Sequence, residues 1–210
     1  LRLQNEEHAA NINLVTPTHY TPSIAVALGE LRNSGALTIP VVYNTSSFDS
    51  LEALRLMKGN VDVYLADFKY ASALEAGKLS HAPRYPEIAL AAIEEMVAQA
   101  PVWEEDGEGL LLGGVIVRHL VLPGRVEESK HALATLHERF GGSVRLSIMS
   151  QYTPLASGLE RYGLAGRVTE EEYEEVLDYA DSLGIEDYFW QQGDAAQESF
   201  VPDFNGEGVR

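Results

Sequence analysis

The sequence predicts an α/β fold, a partial β/α barrel built on a parallel sheet. Three observations predict it. Apolar, β-branched runs alternate with helical periodicities about five times, no G-x-G-x-x-G turn follows the first run, and polar residues sit just past nearly every run. Strands buried on both faces and joined through helices form parallel sheets with right-handed crossovers. The missing glycine turn argues against a doubly wound dinucleotide fold, while polar strand ends mark the face where barrels keep their sites. Five units are too few to close the usual barrel, so it is expected to be partial or to begin outside these residues.

The strands expected are Ile12–Val15, Ile39–Tyr43, Val61–Ala66, Gly114–Leu122 and Val144–Met149, each with turn signals beside it. Thr21-Pro22-Ser23 opens a helix whose Ile24, Leu28 and Leu31 share a face before Gly35. Ser47 to Met57 reads as the next, with Leu51, Leu54 and Met57 as its stripe. Tyr85-Pro86-Glu87 starts a third over Ile88, Ala92, Ile93 and Met96, and Glu127 to Phe140 gives a fourth that stops at Gly141-Gly142. Thr169-Glu170-Glu171-Glu172 has the form of a capping box before a fifth helix that runs to about Gly184. The acidic stretch 101–112 reads as a loop. Residues 1–184 are expected to form the partial barrel, and 185–210, with Trp190, Phe200 and Phe204, a strap packed on the same domain.

Composition narrows the functional classes. With 210 residues, 45% of them hydrophobic, the chain can bury one sizeable core. Fifteen Lys and Arg against 32 Asp and Glu leave a net charge of −17, which repels phosphate backbones and anionic lipid, so neither nucleic acid nor a membrane is an expected partner. No apolar run reaches the roughly 20 residues of a membrane span, and a cytoplasmic protein is expected. There is no cysteine, which rules out disulfides, thiolate nucleophiles and cysteine-held metal from this chain. The chain opens on LRLQ, which resembles the last turns of a helix, so the sequence is expected to begin inside a larger protein.

The polar strand ends supply the candidate chemistry. Asp67 and Lys69, two apart, leave the same face of a strand and could hold a zwitterionic ligand end; an ordinary strand-end ion pair is the simpler explanation. Arg118 and His119 interrupt the apolar VIVRHLVLP, so one faces inward and the other the helix layer, and so embedded an Arg calls for a partner or a ligand carboxylate. Thr16, Thr18 and His19, before a helix N-terminus, suit an anion, or else are a helix cap and a packed imidazole. Asn44 and Ser46 offer amide and hydroxyl groups or a helix N-cap. Gln151 and Tyr152 end the last strand. The six histidines show no metal-ligand spacing, and no serine lies in a nucleophile elbow.

Taken together, NINLVTPTHYTP, IPVVYNTSSFDSLEALRLMKGNVDVYLADFKY, LSHAPRYPEIALAAIEEM, GGVIVRHLVLPG and LSIMSQYTPL resemble a subfamily of radical S-adenosylmethionine proteins. Its members are described as pyruvate formate-lyase activating enzyme-like iron–sulfur proteins. The resemblance extends to GDAAQESFVPDFNGEGV near the end of the chain. It implies a TIM-like barrel of about six β/α units and a [4Fe–4S] cluster held by C-x-x-x-C-x-x-C after the first strand. In that chemistry S-adenosylmethionine is cleaved reductively to a 5′-deoxyadenosyl radical that abstracts a substrate hydrogen. The first strand and the three cysteines would precede Leu1, so the cluster would belong only to the full-length protein. Thr16, Thr18 and His19 then stand near the amino group of S-adenosylmethionine, although the usual G-G-E is absent. Asn44, Ser46, Asp67, Lys69 and Arg118 match positions around its ribose and carboxylate, and Gln151 and Tyr152 the adenine-side loop. The implied partners are an electron donor such as flavodoxin or ferredoxin and a glycyl-radical or other protein substrate.

S-adenosylmethionine bears a sulfonium, an ammonium, a carboxylate and an adenosine, so its cradle needs acidic, basic and neutral groups from several strands. The rim residues include each kind. Two other readings compete with a radical enzyme: a non-catalytic S-adenosylmethionine-binding module, and a barrel hydrolase or lyase using His19, Asp67, Lys69 and His119 directly.

Overall fold

The structure is a computed structural model and describes residues 1–155 and 157–191. Helix α1 (Arg2–Asn5) leads into β1 (Ile12–Val15), α2 (Thr21–Asn33), β2 (Val41–Thr45), α3 (Leu51–Leu56), β3 (Val63–Asp67), α4 (Ala73–Ser80) and α5 (Tyr85–Gln99). A short β4 (Glu104–Glu105) precedes β5 (Leu111–Leu120), α6 (Val126–Phe140), β6 (Arg145–Met149), α7 (Glu170–Ser182) and β7 (Tyr188–Phe189). The sheet order is β1-β2-β3-β5-β6-β7, every neighbouring pair parallel, with β4 antiparallel to β5.

That order decides the architecture. Strands added in sequence through right-handed crossovers place all their helices on one face, so the sheet winds in a single direction as a barrel does. Along β2, β5 and β6 burial alternates accordingly. Val41, Tyr43, Val115, Val117, Leu146 and Ile148 are buried towards the helices, whereas Val42, Asn44, Ile116, Arg118, Ser147 and Met149 are half-buried on the opposite face. The expected partial barrel is therefore the fold observed.

Local signals place most elements. Pro22 in the first turn of α2 and Gly35 beyond it, with φ +69°, bound that helix. The Thr169 hydroxyl accepts from Glu172 N–H at 3.2 Å while the Glu172 carboxylate accepts from Thr169 N–H at 3.0 Å, so α7 has the expected capping box.

Several boundaries differ from the expectation. The second strand runs over Val41–Thr45 rather than Ile39–Tyr43, because Tyr43 and Thr45 point into the core. Asn44 is thus within the strand, not past it. The helix expected from Ser47 is shorter, since Ser47 adopts φ +62° and Ser50 caps α3 by accepting from Ala53 N–H at 3.2 Å. Helix α4 was not anticipated; it is eight residues long, contains Gly77, and is nucleated by Ser72, which accepts from Glu75 N–H at 3.2 Å. Stretch 101–112 is not wholly a loop, because β4 folds back on Leu111 and Gly113. Tyr188–Phe189 joins the sheet edge beside Leu146 and Ser147. Phe200 and Phe204 lie outside the described residues.

Candidate functional site

The C-terminal ends of β2, β3 and β5 bring three of the expected residues into contact. The Arg118 guanidinium donates from Nε to Asp67 Oδ1 at 2.8 Å and from Nη2 to Asn44 Oδ1 at 2.8 Å. Lys69 Nζ donates to the other Asp67 oxygen, Oδ2, at 2.8 Å. Register explains the meeting: Asp67 pairs with Arg118 across the β3–β5 ladder, and Asn44 lies one strand further, with the same side-chain parity. Arg118 and Asp67 retain 23% and 16% side-chain exposure, so the pair is shielded on the sheet side yet reachable from the rim.

His119 points the other way. Its ring is buried between helix and sheet, Nδ1 2.8 Å from the Phe68 carbonyl and Nε2 3.0 Å from Ser129 Oγ. Burial pushes its pKa below the ordinary value. The sheet thus separates the His119 ring from the Asp67 carboxylate, and the ring makes no hydrogen bond to Asp67 or Lys69 among the described residues. Both His131 and His137 are expected on the solvent side of their helix; His131 is exposed, whereas His137 is half-buried.

The remaining expected residues surround the same rim without joining that network. Thr16, with φ +50°, and His19 are exposed on the turn between β1 and α2. Thr18 is committed to the fold, donating to Asp49 Oδ1 at 2.7 Å. Ser46 contributes its main-chain carbonyl, which accepts from the Tyr85 hydroxyl at 3.0 Å. Gln151 is exposed and bonds to Gln191 Nε2 at 3.2 Å, and the Tyr152 hydroxyl turns to the Leu164 carbonyl at 2.9 Å. Gln151 is one strand away from Arg118 and makes no hydrogen bond to it among the described residues.

Four residues that organise the rim escaped the sequence. Asp49 is 4% exposed and accepts from Thr18, from Thr45 and, at 3.4 Å, from Tyr43, which pins the β1–α2 turn onto β2. The Tyr85 hydroxyl accepts from Lys69 N–H at 3.0 Å and shares its proton between the carbonyls of Asp67 and Ser46, at 2.9 and 3.0 Å. Burial raises its pKa strongly, so the phenol keeps that proton. Glu128 accepts from the N–H groups of Ala71 and Ser72 at 2.7 and 2.8 Å. Gln191 accepts from Ser150 N–H at 2.9 Å. Asp49 lies in the loop between β2 and α3, and the others in helix turns or tails, where nothing local marks them.

The rim can complement a carboxylate. Two cations face one carboxylate, leaving one positive charge, and the second face of Arg118 and the remaining protons of Lys69 are free of partners among the described residues. Met149 and Leu120, paired at the end of the β5–β6 ladder, add apolar surface beside it. This set fits the carboxylate and neutral hydrogen-bonding groups of S-adenosylmethionine. An iron–sulfur cluster does not fit the residues present: the chain has no cysteine, and no group of three or more possible metal ligands occurs among the described residues.

Solved structures share this fold. A domain of pyruvate-formate lyase-activating enzyme from Bacteroides vulgatus superposes with a TM-score of 0.59 over 87% of this chain and 98% of that one, at 12% identity. A radical SAM methyltransferase from Sphaerobacter thermophilus gives 0.58 over 91% of this chain and 55% of that one, at 14% identity. The chain shares its fold with these two structures. In sequence, an uncharacterized protein of Methanocaldococcus jannaschii is 28% identical over 182 residues, 86% of this chain and 48% of that protein. The chain spans about half the length of that relative. No family model matches the sequence. No helix among the described residues is long and apolar enough to cross a membrane.

Proposed function

We propose that this chain is the S-adenosylmethionine-binding part of a radical SAM enzyme of the pyruvate formate-lyase activating enzyme-like kind. The observation that carries the reading is Arg118 bridging Asn44 and Asp67 at adjacent strand ends while Lys69 holds the other Asp67 oxygen. S-adenosylmethionine, when bound beside an iron–sulfur cluster and supplied with an electron, provides hydrogen-atom abstraction. The residues of this chain position it. Arg118 and Lys69 pair with the methionine carboxylate, Asn44 orients Arg118 through its carbonyl oxygen, and Asp67 holds both cations at one place. Thr16, Ser46 and His19 offer hydrogen bonds to the amino group and ribose, and Gln151 with Tyr152 borders the adenine. Asp49 and Tyr85 hold the loops from which these groups project. Reduction would come from a flavodoxin- or ferredoxin-like donor, and the hydrogen from a glycyl-radical or other protein substrate.

Equilibrium dialysis of this chain against labelled S-adenosylmethionine tests the reading. Saturable binding, weakened about tenfold or more by Arg118→Ala, is the expected result, since one charge-assisted hydrogen bond is worth about 1.5–3 kcal/mol. Binding that Arg118→Ala and Lys69→Ala leave unchanged would overturn it. Binding by the chain without reductive cleavage in its cluster-loaded full-length form would establish the non-catalytic module instead.

A further inference from the structure

The turn that carries Asp67 and Lys69 is held, beyond the end of its strand, by side chains from other elements. Strand β3 ends at Asp67, so the peptide groups past it need partners outside the ladder. The Phe68 N–H still donates to the Arg118 carbonyl at 2.8 Å, and the Tyr85 hydroxyl donates to the Asp67 carbonyl at 2.9 Å. The next peptide unit, between Phe68 and Lys69, is gripped at both ends. Its carbonyl lies 2.8 Å from His119 Nδ1, and its N–H donates to the Tyr85 hydroxyl at 3.0 Å. Further on, Glu128 accepts from the N–H groups of Ala71 and Ser72 at 2.7 and 2.8 Å.

Packing alone does not explain His119. It is 2% exposed on the helix side of β5, where Val117 and Val121 on either side of it are apolar and buried. An imidazole in that row costs free energy that a third valine would not, unless both ring nitrogens are satisfied. They are, because Ser129 of α6, itself buried, lies 3.0 Å from Nε2. Burial keeps the ring neutral with a single N–H, and the Phe68 carbonyl can only accept, so Nδ1 carries the hydrogen and the Ser129 hydroxyl donates to Nε2. Ser129 thus fixes the tautomer, and His119 fixes the carbonyl. The plane of that peptide sets the direction in which Lys69 leaves the chain. The covered side of the sheet thereby controls where the Lys69 ammonium stands on the open side, 2.8 Å from Asp67 Oδ2.

We propose that His119 is a positioning residue for the ligand site: through the Phe68 carbonyl it holds Lys69 where its ammonium and the Arg118 guanidinium receive one ligand carboxylate. The proposal rests on the S-adenosylmethionine reading for the identity of that ligand, and the ring acts from the opposite side of the sheet without touching it. Two cations gain on a single carboxylate only when both stand within hydrogen-bond reach of it. A turn free to rotate forfeits part of the binding even while the fold persists.

Two substitutions divide the ring nitrogens between them. His119→Asn places an amide N–H where Nδ1 stands and loses the contact with Ser129, whereas His119→Gln reaches Ser129 and leaves the Phe68 carbonyl without a donor. Both are made in the full chain and read by thermal unfolding, by equilibrium dialysis against labelled S-adenosylmethionine, and by NMR of lysine-labelled protein. The lysines are Lys58, Lys69, Lys78 and Lys130, so the Lys69 signals are assigned by their loss in Lys69→Arg. Both variants should unfold at a lower temperature than the wild type. His119→Gln should weaken S-adenosylmethionine binding about fivefold and merge the two ε-proton resonances of Lys69, which stay separate in a fixed side chain; His119→Asn should do neither. In a Lys69→Ala background His119→Gln should leave the affinity where it was. Affinity that falls alike in both variants, a full further loss in the Lys69→Ala background, or Lys69 resonances already merged in the wild type overturns the proposal. If His119→Gln does not fold, His119→Met, which fills the space of the ring without an N–H, takes its place. Wild type that binds no S-adenosylmethionine, with the Lys69 resonances separate in His119→Asn and merged in His119→Gln, counts against the cofactor reading alone. Intact binding with Lys69 resonances indifferent to His119 counts against the positioning alone.

Discussion

Arg118 donates through Nε to Asp67 Oδ1 at 2.8 Å and through Nη2 to Asn44 Oδ1 at 2.8 Å, and leaves the other Asp67 oxygen to Lys69. The arrangement concentrates two cations on one carboxylate at a strand end. In a chain of net charge −17 that local excess of positive charge makes the rim a place for an anionic ligand group.

Removing Arg118 leaves Asp67, 16% exposed, with Lys69 alone. Arg118→Ala should lower the unfolding free energy by about 1–3 kcal/mol in urea titrations. The double variant with Asp67→Asn should cost less than the two single changes added together, because the second substitution removes the charge that the first one stranded.

Asp49 is a buried carboxylate held by hydroxyl groups. Asp49→Ala should destabilise by about 2–4 kcal/mol, and amide exchange should accelerate at residues 16–21, which Thr18 tethers to it. Asp49→Asn keeps the shape and should cost less than half as much.

The buried His119 imidazole makes stability depend on pH. Burial holds its folded pKa below the ordinary 6.5, so the unfolded chain binds a proton that the folded one refuses. Its stabilisation is therefore complete above about pH 6.5 and declines as pH falls, by up to about 1.4 kcal/mol per pH unit until the folded form also protonates. Urea midpoints measured from pH 7.5 to 5 should show a steeper fall in the wild type than in His119→Gln.

Gly114→Ala forces a β-carbon against the Trp103 indole at a backbone angle that L-residues avoid. A loss of about 1–3 kcal/mol is expected, with a red-shifted Trp103 emission as the ring is displaced. Gly107→Ala, in the same hairpin with nothing within 4 Å of its Cβ, should leave that emission where it was.

The alternation of apolar runs with helical stripes, the capping box at Thr169 and the Pro–Gly punctuation of α2 made the fold legible before any coordinates, since those signals act over a few residues. The same local reading put Asp67, Lys69, Arg118 and Asn44 at strand ends, because the period of two assigns each to a face. Register lay beyond it. That Arg118 reaches Asn44 rather than a neighbour depends on how β2, β3 and β5 align, and that alignment is set by packing across the sheet. Asp49, Tyr85 and Glu128 were hidden for the same reason: their partners lie on other elements, and a buried carboxylate or phenol looks like any other until the chain closes around it.

The chain's own composition and periodicity dictated a singly wound α/β sheet with polar residues along one mouth, and tertiary packing decided which of them touch. His119 shows the division most clearly. Its place beside Arg118 in an apolar strand demanded that the two face opposite ways, yet only the helices crossing one side of the sheet could determine that Arg118 meets the open face while His119 is sealed against Ser129, for burial belongs to whichever side the connections cover.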